Sequence, residues 1–119
     1  MREKIFVYAR KKYGAKPEYL WKRDPSSAVL RNARNRKWYA VIMRVPRTRL
    51  GLDGDGAADV MNVKADPDLI AQMVQAHGFL PGYHMNKKYW ISLLLDESVK
   101  METALDFLDR SYELVDLSK

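Results

Sequence analysis

WYAVIMRV, residues 38–45, is the densest run of aromatic and β-branched residues in the chain, and no glycine or proline interrupts it. That is the composition of a strand. At a period of two, Tyr39, Val41, Met43 and Val45 fall on one face, and Trp38, Ala40, Ile42 and Arg44 on the other. Both sets are largely apolar, so the run is expected to be a central strand with one face under helices and the other partly exposed. The exposed side is a candidate surface for a partner.

Upstream, residues 3–13 place Phe6, Ala9 and Tyr13 on one helical face with Ile5 beside them, and Gly14 stands ready to end that helix. Lys11 and Lys12 near the end complement the helix dipole, which gives their charge a local explanation. YLWKR at 19–23 is expected to begin the sheet, SAVLR at 27–31 to form a short strand, and RNARNRK at 31–37 to be the polar connection into 38–45. Downstream, PRTRLGLDGDGAAD at 46–59 reads as a long loop, and VMNVK at 60–64 as a short strand. Asp66-Pro67-Asp68 is a helix start, with Asp66 as cap and Pro67 at the first helical position. Leu69, Ile70, Met73 and Val74 supply that helix's apolar face, and Gly78 is expected to end it.

FLPGYHM and KYWISLLL then predict two strands joined by a tight turn around Asn86-Lys87, with Asn86 in the left-handed conformation. A last helix is expected over about 100–115, with Ser98 available as its cap and Leu105, Leu108, Tyr112 and Val115 covering the sheet. The order helix, two or three strands, helix, two strands, helix predicts an α+β fold. It is read as one two-layer domain over residues 1–119 with a largely antiparallel sheet.

With 47% hydrophobic and 30% charged residues, the chain of 119 has the make-up of a globular domain and not of a disordered one. It has no cysteine, which excludes disulfides, thiolate nucleophiles and cysteine-based metal sites. The start, MREKIFVYARKKYG, lacks a signal-peptide apolar region, and no segment approaches a bilayer span, so a cytoplasmic protein without membrane contact is expected. The net charge of +6 divides sharply: residues 1–50 hold 15 Lys or Arg against 3 Asp or Glu, and residues 51–119 hold 6 against 12. Gathered on one surface, the basic groups would attract a polyanion. Alternatively, the two halves attract each other within the fold, or pair two copies in a homodimer.

Sites of chemistry are few. GLDGDGAAD fails as a calcium loop, because counting from Asp53 puts Lys64 at the final acidic position and Ala58 at the central glycine. It also lacks the phosphate-loop pattern, so no metal or cofactor is assigned. His77 and His84 are the only histidines, too few for a three-imidazole metal site. As an imidazole, the side chain suited to proton exchange, His84 keeps an enzyme alternative open, but no spacing identifies its partner, and no catalytic residue is assigned. Phosphate contact fits the composition better. Arg44, Arg47 and Arg49 end the main strand and enter its loop, while Arg31, Arg34, Arg36 and Lys37 populate the earlier connection. If those connections meet, guanidinium groups would pair with phosphates beside Trp38 or Tyr39.

A further pattern is more specific. Leu80-Pro81-Gly82-Tyr83-His84-Met85-Asn86-Lys87-Lys88-Tyr89-Trp90 occurs together with Trp21-Lys22, Met43-Arg44-Val45-Pro46-Arg47, Asn62-Val63-Lys64 before Asp66-Pro67, and Ser111-Tyr112-Glu113-Leu114-Val115. In this the chain resembles the MmcQ/YjbR family of small bacterial domains over nearly its whole length. The resemblance implies an α-β(3)-α-β(2)-α fold with five strands, similar to type III secretion chaperones, and a DNA-binding-like role without a catalytic set. Family members often carry histidine where this chain has Tyr89, which weakens any two-histidine pair with His84. Gly82 and Asn86 are read as turn formers, Tyr83 and Trp90 as packing groups, and Lys87 and Lys88 as an exposed basic pair that joins the phosphate contacts. His84 and Asn86 are the candidate ligand-facing residues, with structural hydrogen bonding as the alternative for His84.

Overall fold

A computed structural model describes residues 1–118. Within them the order is α1 (Arg2–Tyr13), β1 (Ala28–Arg31), β2 (Trp38–Pro46), β3 (Ala57–Lys64), α2 (Pro67–Met73), β4 (Phe79–Pro81), β5 (Trp90–Leu94) and α3 (Met101–Leu117). The strands form one antiparallel sheet in the order β1-β2-β3-β5-β4, an α+β fold. As expected, 38–45 lies inside the sheet, paired on both sides.

Local chemistry explains most boundaries. Gly14 ends α1 with φ 66°, and its N–H closes back onto the carbonyls of Ala9 and Arg10. The Asp66 carboxylate accepts from the Asp68 N–H and Pro67 follows it, so α2 starts as predicted. Its end differs: α2 stops at Met73, and Gly78 sits in the turn before β4 with φ 88°, where a Cβ would lie 2.5 Å from Val99. Ser98 does not cap α3; its N–H donates to the Asp96 carboxylate at 2.7 Å.

Tertiary pairing overrode three other expectations. YLWKR forms no strand, and only Glu18 before it bridges to Val29. β3 begins at Ala57 because Ala57, Ala58 and Asp59 pair with Pro46, Val45 and Arg44, shortening the expected loop to a 3-10 turn over Arg47–Leu50 and the glycine-rich residues 51–56. The tight turn at Asn86-Lys87 is replaced by a longer connection over 82–89, in which His84 takes the left-handed backbone with φ 56°.

The β1–β2 register also slips. Leu30 faces Ala40 but Arg31 faces Trp38, leaving Tyr39 as an extra residue. The bulge moves the Tyr39 side chain into the helix-covered core with Ala40 and Ile42, away from Val41, Met43 and Val45. In that core, Ile5 and Ala9 of α1, Ile70 of α2, and Phe107, Leu108 and Val115 of α3 meet Leu30, Met61, Val63, Ile91 and Leu93. A second cluster of Val45, Ala58, Val60 and Leu94, joined by Met43, Leu50, Leu52, Leu80 and Tyr83, contains no residue of α1, α2 or α3. The helices therefore leave one face of the sheet to loops.

Side-chain bonds lock the helical layer. Tyr8 and Tyr13 of α1 donate to Asp109 of α3 at 2.6 and 2.5 Å, and Lys12 joins them at 3.1 Å. Ser111 donates to the Tyr39 carbonyl at 2.6 Å and accepts from the Lys64 N–H at 2.9 Å, which ties α3 to β2 and β3. Charge in the two halves is partly spent internally, through Arg2–Asp59, Lys12–Asp109, Arg34–Asp116 and Arg44–Asp59. Among the described residues, no helix is long and apolar enough to cross a membrane.

Candidate functional site

Two stretches of chain border the helix-free face. The first runs from α1 to β1. Glu18 exchanges backbone hydrogen bonds with Val29 at 3.0 and 2.9 Å, the chain turns at Trp21–Asp24, and the Asp24 carboxylate gathers the hydroxyls of Ser26 and Ser27. This holds the Trp21 ring edge-on to Trp38 of β2, with centroids 5.9 Å apart and planes at 81°.

The second stretch is 82–89, and a buried polar pair in the sheet fixes its course. Asn62 of β3 and Ser92 of β5 face each other across the ladder, both fully buried and hydrogen-bonded to one another. Ser92 Oγ accepts from the Tyr83 N–H at 2.9 Å, and Asn62 Nδ2 donates to the Tyr83 carbonyl at 3.2 Å. Both backbone groups of Tyr83 are thus held from below, as buried polar atoms require. Gly82 permits the approach, since a Cβ there would lie 2.8 Å from the Trp90 carbonyl oxygen. His84 follows directly, in its strained left-handed conformation, with its ring 4.1 Å from that of Tyr83.

Between these stretches lie two adjoining concavities. One, of about 280 Å³, is lined by Arg23, Asp24, Met43, Arg44, Val45, Pro46, Arg49, Tyr83 and His84. The other, of about 330 Å³, is lined by Trp21, Asp24, Trp38, Val41, Met43, His84 and Met85. They share Asp24, Met43 and His84. The first is cationic and the second is aromatic and apolar, so together they form one cleft with a charged end and a greasy end.

The predicted phosphate contacts separate into two groups. β2 is nine residues long, so the 31–37 connection and the Arg47–Leu50 turn stand about 30 Å apart at about 3.3 Å per residue. The two basic connections do not meet. Arg31 and Arg36 pair with Glu18 at 3.1 and 3.3 Å, Arg34 pairs with Asp116 at 3.4 Å, and Lys37 donates to Ser118 at 3.0 Å. That connection dresses the end of α3, whose Val115 carbonyl also accepts from Asn35. The hydrogen bond from Asn32, with help from Arg34, holds the Asp116 carboxyl below the usual carboxylate range against the opposing effect of burial.

At the other end of β2, Arg44 lies 3.7 Å from Asp59 and is more than half exposed. Arg47 donates to the Asp53 carbonyl at 2.7 Å. Arg49 has no acidic partner among the described residues. Lys87 donates to the Gly82 carbonyl at 3.1 Å, and the Lys88 ammonium sits 5.5 Å from the Tyr89 ring centre. His84 lines both concavities, whereas Asn86 lines neither and accepts from the Lys88 N–H at 3.0 Å. His77 is exposed in the turn beyond α2.

Arg23 and Asp24 enter the cleft without having been singled out from sequence, whereas Met43, Met85 and, beneath the cleft, Asn62 were read only as part of the family pattern and Ser92 only as a strand residue. One signal was available for Trp21: Tyr19, Leu20 and Trp21 are consecutive large apolar residues, and all three stay exposed, at 55%, 45% and 37%. Such a run outside any strand is a mark of a binding surface.

Comparisons agree with this fold. The YjbR family profile matches residues 10–114. The Bacillus subtilis (strain 168) protein YyaQ is 39% identical over 113 residues, which cover 95% of this chain and 96% of YyaQ. A crystal structure of a Pseudomonas syringae protein superposes with a TM-score of 0.93 at 36% identity, covering 97% of this chain and 98% of the other. A Deinococcus radiodurans protein, 23% identical, shares the fold at a TM-score of 0.76 over 99% of this chain and 80% of its own. On the profile and the YyaQ match, the chain belongs to the YjbR family.

Proposed function

We propose that the chain is a non-enzymatic binding domain that takes phosphate groups of nucleic acid at the cationic end of the open-face cleft. The observation that carries this reading is that Arg23, Arg44 and Arg49 all line one concavity. Arg23 and Arg49 have no carboxylate partner among the described residues, and Arg44 shares Asp59 with Arg2. Guanidinium groups left without an internal partner keep their donors for an anion, and planar forks suit phosphate oxygens. The basic contact is thus narrower than both connections together, because Arg31, Arg34 and Arg36 are already paired.

A catalytic reading has less support. Asp24 and His84 share the cleft, but no hydrogen bond joins them among the described residues, and Asp24 is committed to Ser26 and Ser27. A base needs an orienting partner and a nucleophile within reach. Pairing of two copies through opposite charge has less to draw on than the sequence division suggests, since Asp59, Asp109 and Asp116 are matched within the chain.

The test is a salt titration of binding to single-stranded and duplex oligonucleotides. Affinity should fall steeply with salt, and each of Arg23→Ala, Arg44→Ala and Arg49→Ala should reduce the slope of log affinity against log salt by about one. Arg34→Ala and Arg36→Ala should leave the slope unchanged. A folded protein that binds neither oligonucleotide at low salt would refute the reading.

A further inference from the structure

The aromatic end of the cleft bears on what kind of phosphate is bound. Trp21, Trp38, Val41, Met43 and Met85 give it a mostly apolar lining, to which Asp24 and His84 add polar groups where it adjoins the cationic end. Trp21 remains 37% exposed although a fully folded core lies beneath it. An apolar cavity of about 150 Å³ takes a benzene ring. The space of about 330 Å³ here, open on one side, has room for an aromatic ring system.

The two concavities adjoin at Asp24, Met43 and His84. Val41 lines the aromatic end, Met43 both ends and Arg44 the cationic end, so about three residues of extended chain, about 10 Å, separate ring site from anion site. Met43 is the divider. Its sulfur faces the Asn62 amide at 3.6 Å, and its unbranched side chain is adaptable.

We infer that the ligand is a nucleotide unit whose unpaired base packs into the pocket lined by the Trp21–Trp38 pair while its phosphate lies against Arg23, Arg44 and Arg49. This rests on the phosphate reading above and adds the base. Aromatic side chains take bases of any sequence by their π-faces, and a base can enter such a pocket only when it is not stacked in a duplex. The shared chemistry, a base with its phosphate, comes either from a free mononucleotide or from a single strand.

Calorimetric titration with inorganic phosphate, adenosine, AMP and a single-stranded oligonucleotide separates these cases. AMP or the strand should bind tighter than phosphate or adenosine. Trp21→Leu, at an exposed position that spares the fold, should weaken AMP or strand binding by about tenfold while leaving phosphate binding unchanged. Trp38→Leu should do the same, and Arg49→Ala should weaken every anionic probe. Binding of AMP identifies a small-molecule source, and binding of the strand alone identifies a polymer; either result upholds the base site. If phosphate binds as tightly as AMP and the strand is indifferent to Trp21, the base site is wrong while the phosphate site stands. If no probe binds the folded protein, both fall.

Discussion

Two residues show how far single positions govern this molecule. The Tyr39 ring is fully buried, edge-on to Tyr112 at 5.0 Å and to Tyr13 at 5.9 Å, yet its hydroxyl has no hydrogen-bond partner among the described residues. Burial, and to a lesser degree neighbouring Tyr112, pushes that phenol up. A buried donor left unpaired costs about 1–3 kcal/mol. Tyr39→Phe keeps the ring and removes the cost, so it should raise stability by about 1 kcal/mol, or roughly 4 °C in Tm. A lower melting temperature in calorimetry would show that the hydroxyl is satisfied after all. His84 teaches the complementary point. Sequence assigned the left-handed conformation to Asn86 on propensity, but φ 56° falls on His84, because Asn62 and Ser92 pin both backbone groups of the preceding Tyr83. The choice was made by residues far away in sequence.

Among the elements, α1 and α3 are coupled through one carboxylate. Asp109 accepts from Tyr13, Tyr8 and Lys12, and although burial works to raise its pKa, these bonds outweigh it and hold the carboxyl below its usual range. A group whose folded pKa is depressed stabilises the fold above its unfolded value of about 3.9, and that contribution is lost as pH falls through the folded value. Asp109→Asn should thus cost about 2 kcal/mol near neutrality and make the acid limb of the stability profile shallower below about pH 4. Chemical denaturation at several pH values checks this; parallel acid limbs for the two proteins would remove Asp109 from the account. Legibility at this scale follows range of interaction. Gly14 and Asp66-Pro67-Asp68 act within one turn, and they mark the end of α1 and the start of α2 where sequence put them. Tyr39 was placed on the wrong face, because alternation cannot anticipate the slip between Leu30 and Arg31. The cleft was half visible: Arg44, Arg49 and His84 were named, whereas Arg23 and Asp24 carry no local signal and reach it through the Trp21–Asp24 turn.

For the whole molecule, the two faces of the sheet differ in what covers them, and this should decide where it opens. β2, β3 and β5 are each paired on both sides, and Leu30, Ile42, Met61, Val63, Ile91 and Leu93 are sealed under the helices. The opposite face carries only loops, with Trp21, Arg23 and Arg49 toward solvent. Local opening free energy follows buried apolar contact and backbone pairing. Residues 16–27 are joined to β1 by the Glu18–Val29 bridge, and 82–89 to the sheet chiefly through Tyr83. The charge division of the sequence fits the same plan: pairs such as Arg2–Asp59 and Lys12–Asp109 bind the halves together, while Arg23 and Arg49 stay available at the cleft. Hydrogen exchange should therefore find the amides of β2, β3 and β5 slowest and those of 19–24 and 84–88 fastest. Saturating single-stranded oligonucleotide should slow exchange in these two stretches selectively, because a ligand that bridges them favours the closed state by mass action. Slowing spread evenly over the helices as well would place the ligand elsewhere, and slowing confined to 31–37 would return the contact to the basic connection at the far end of β2.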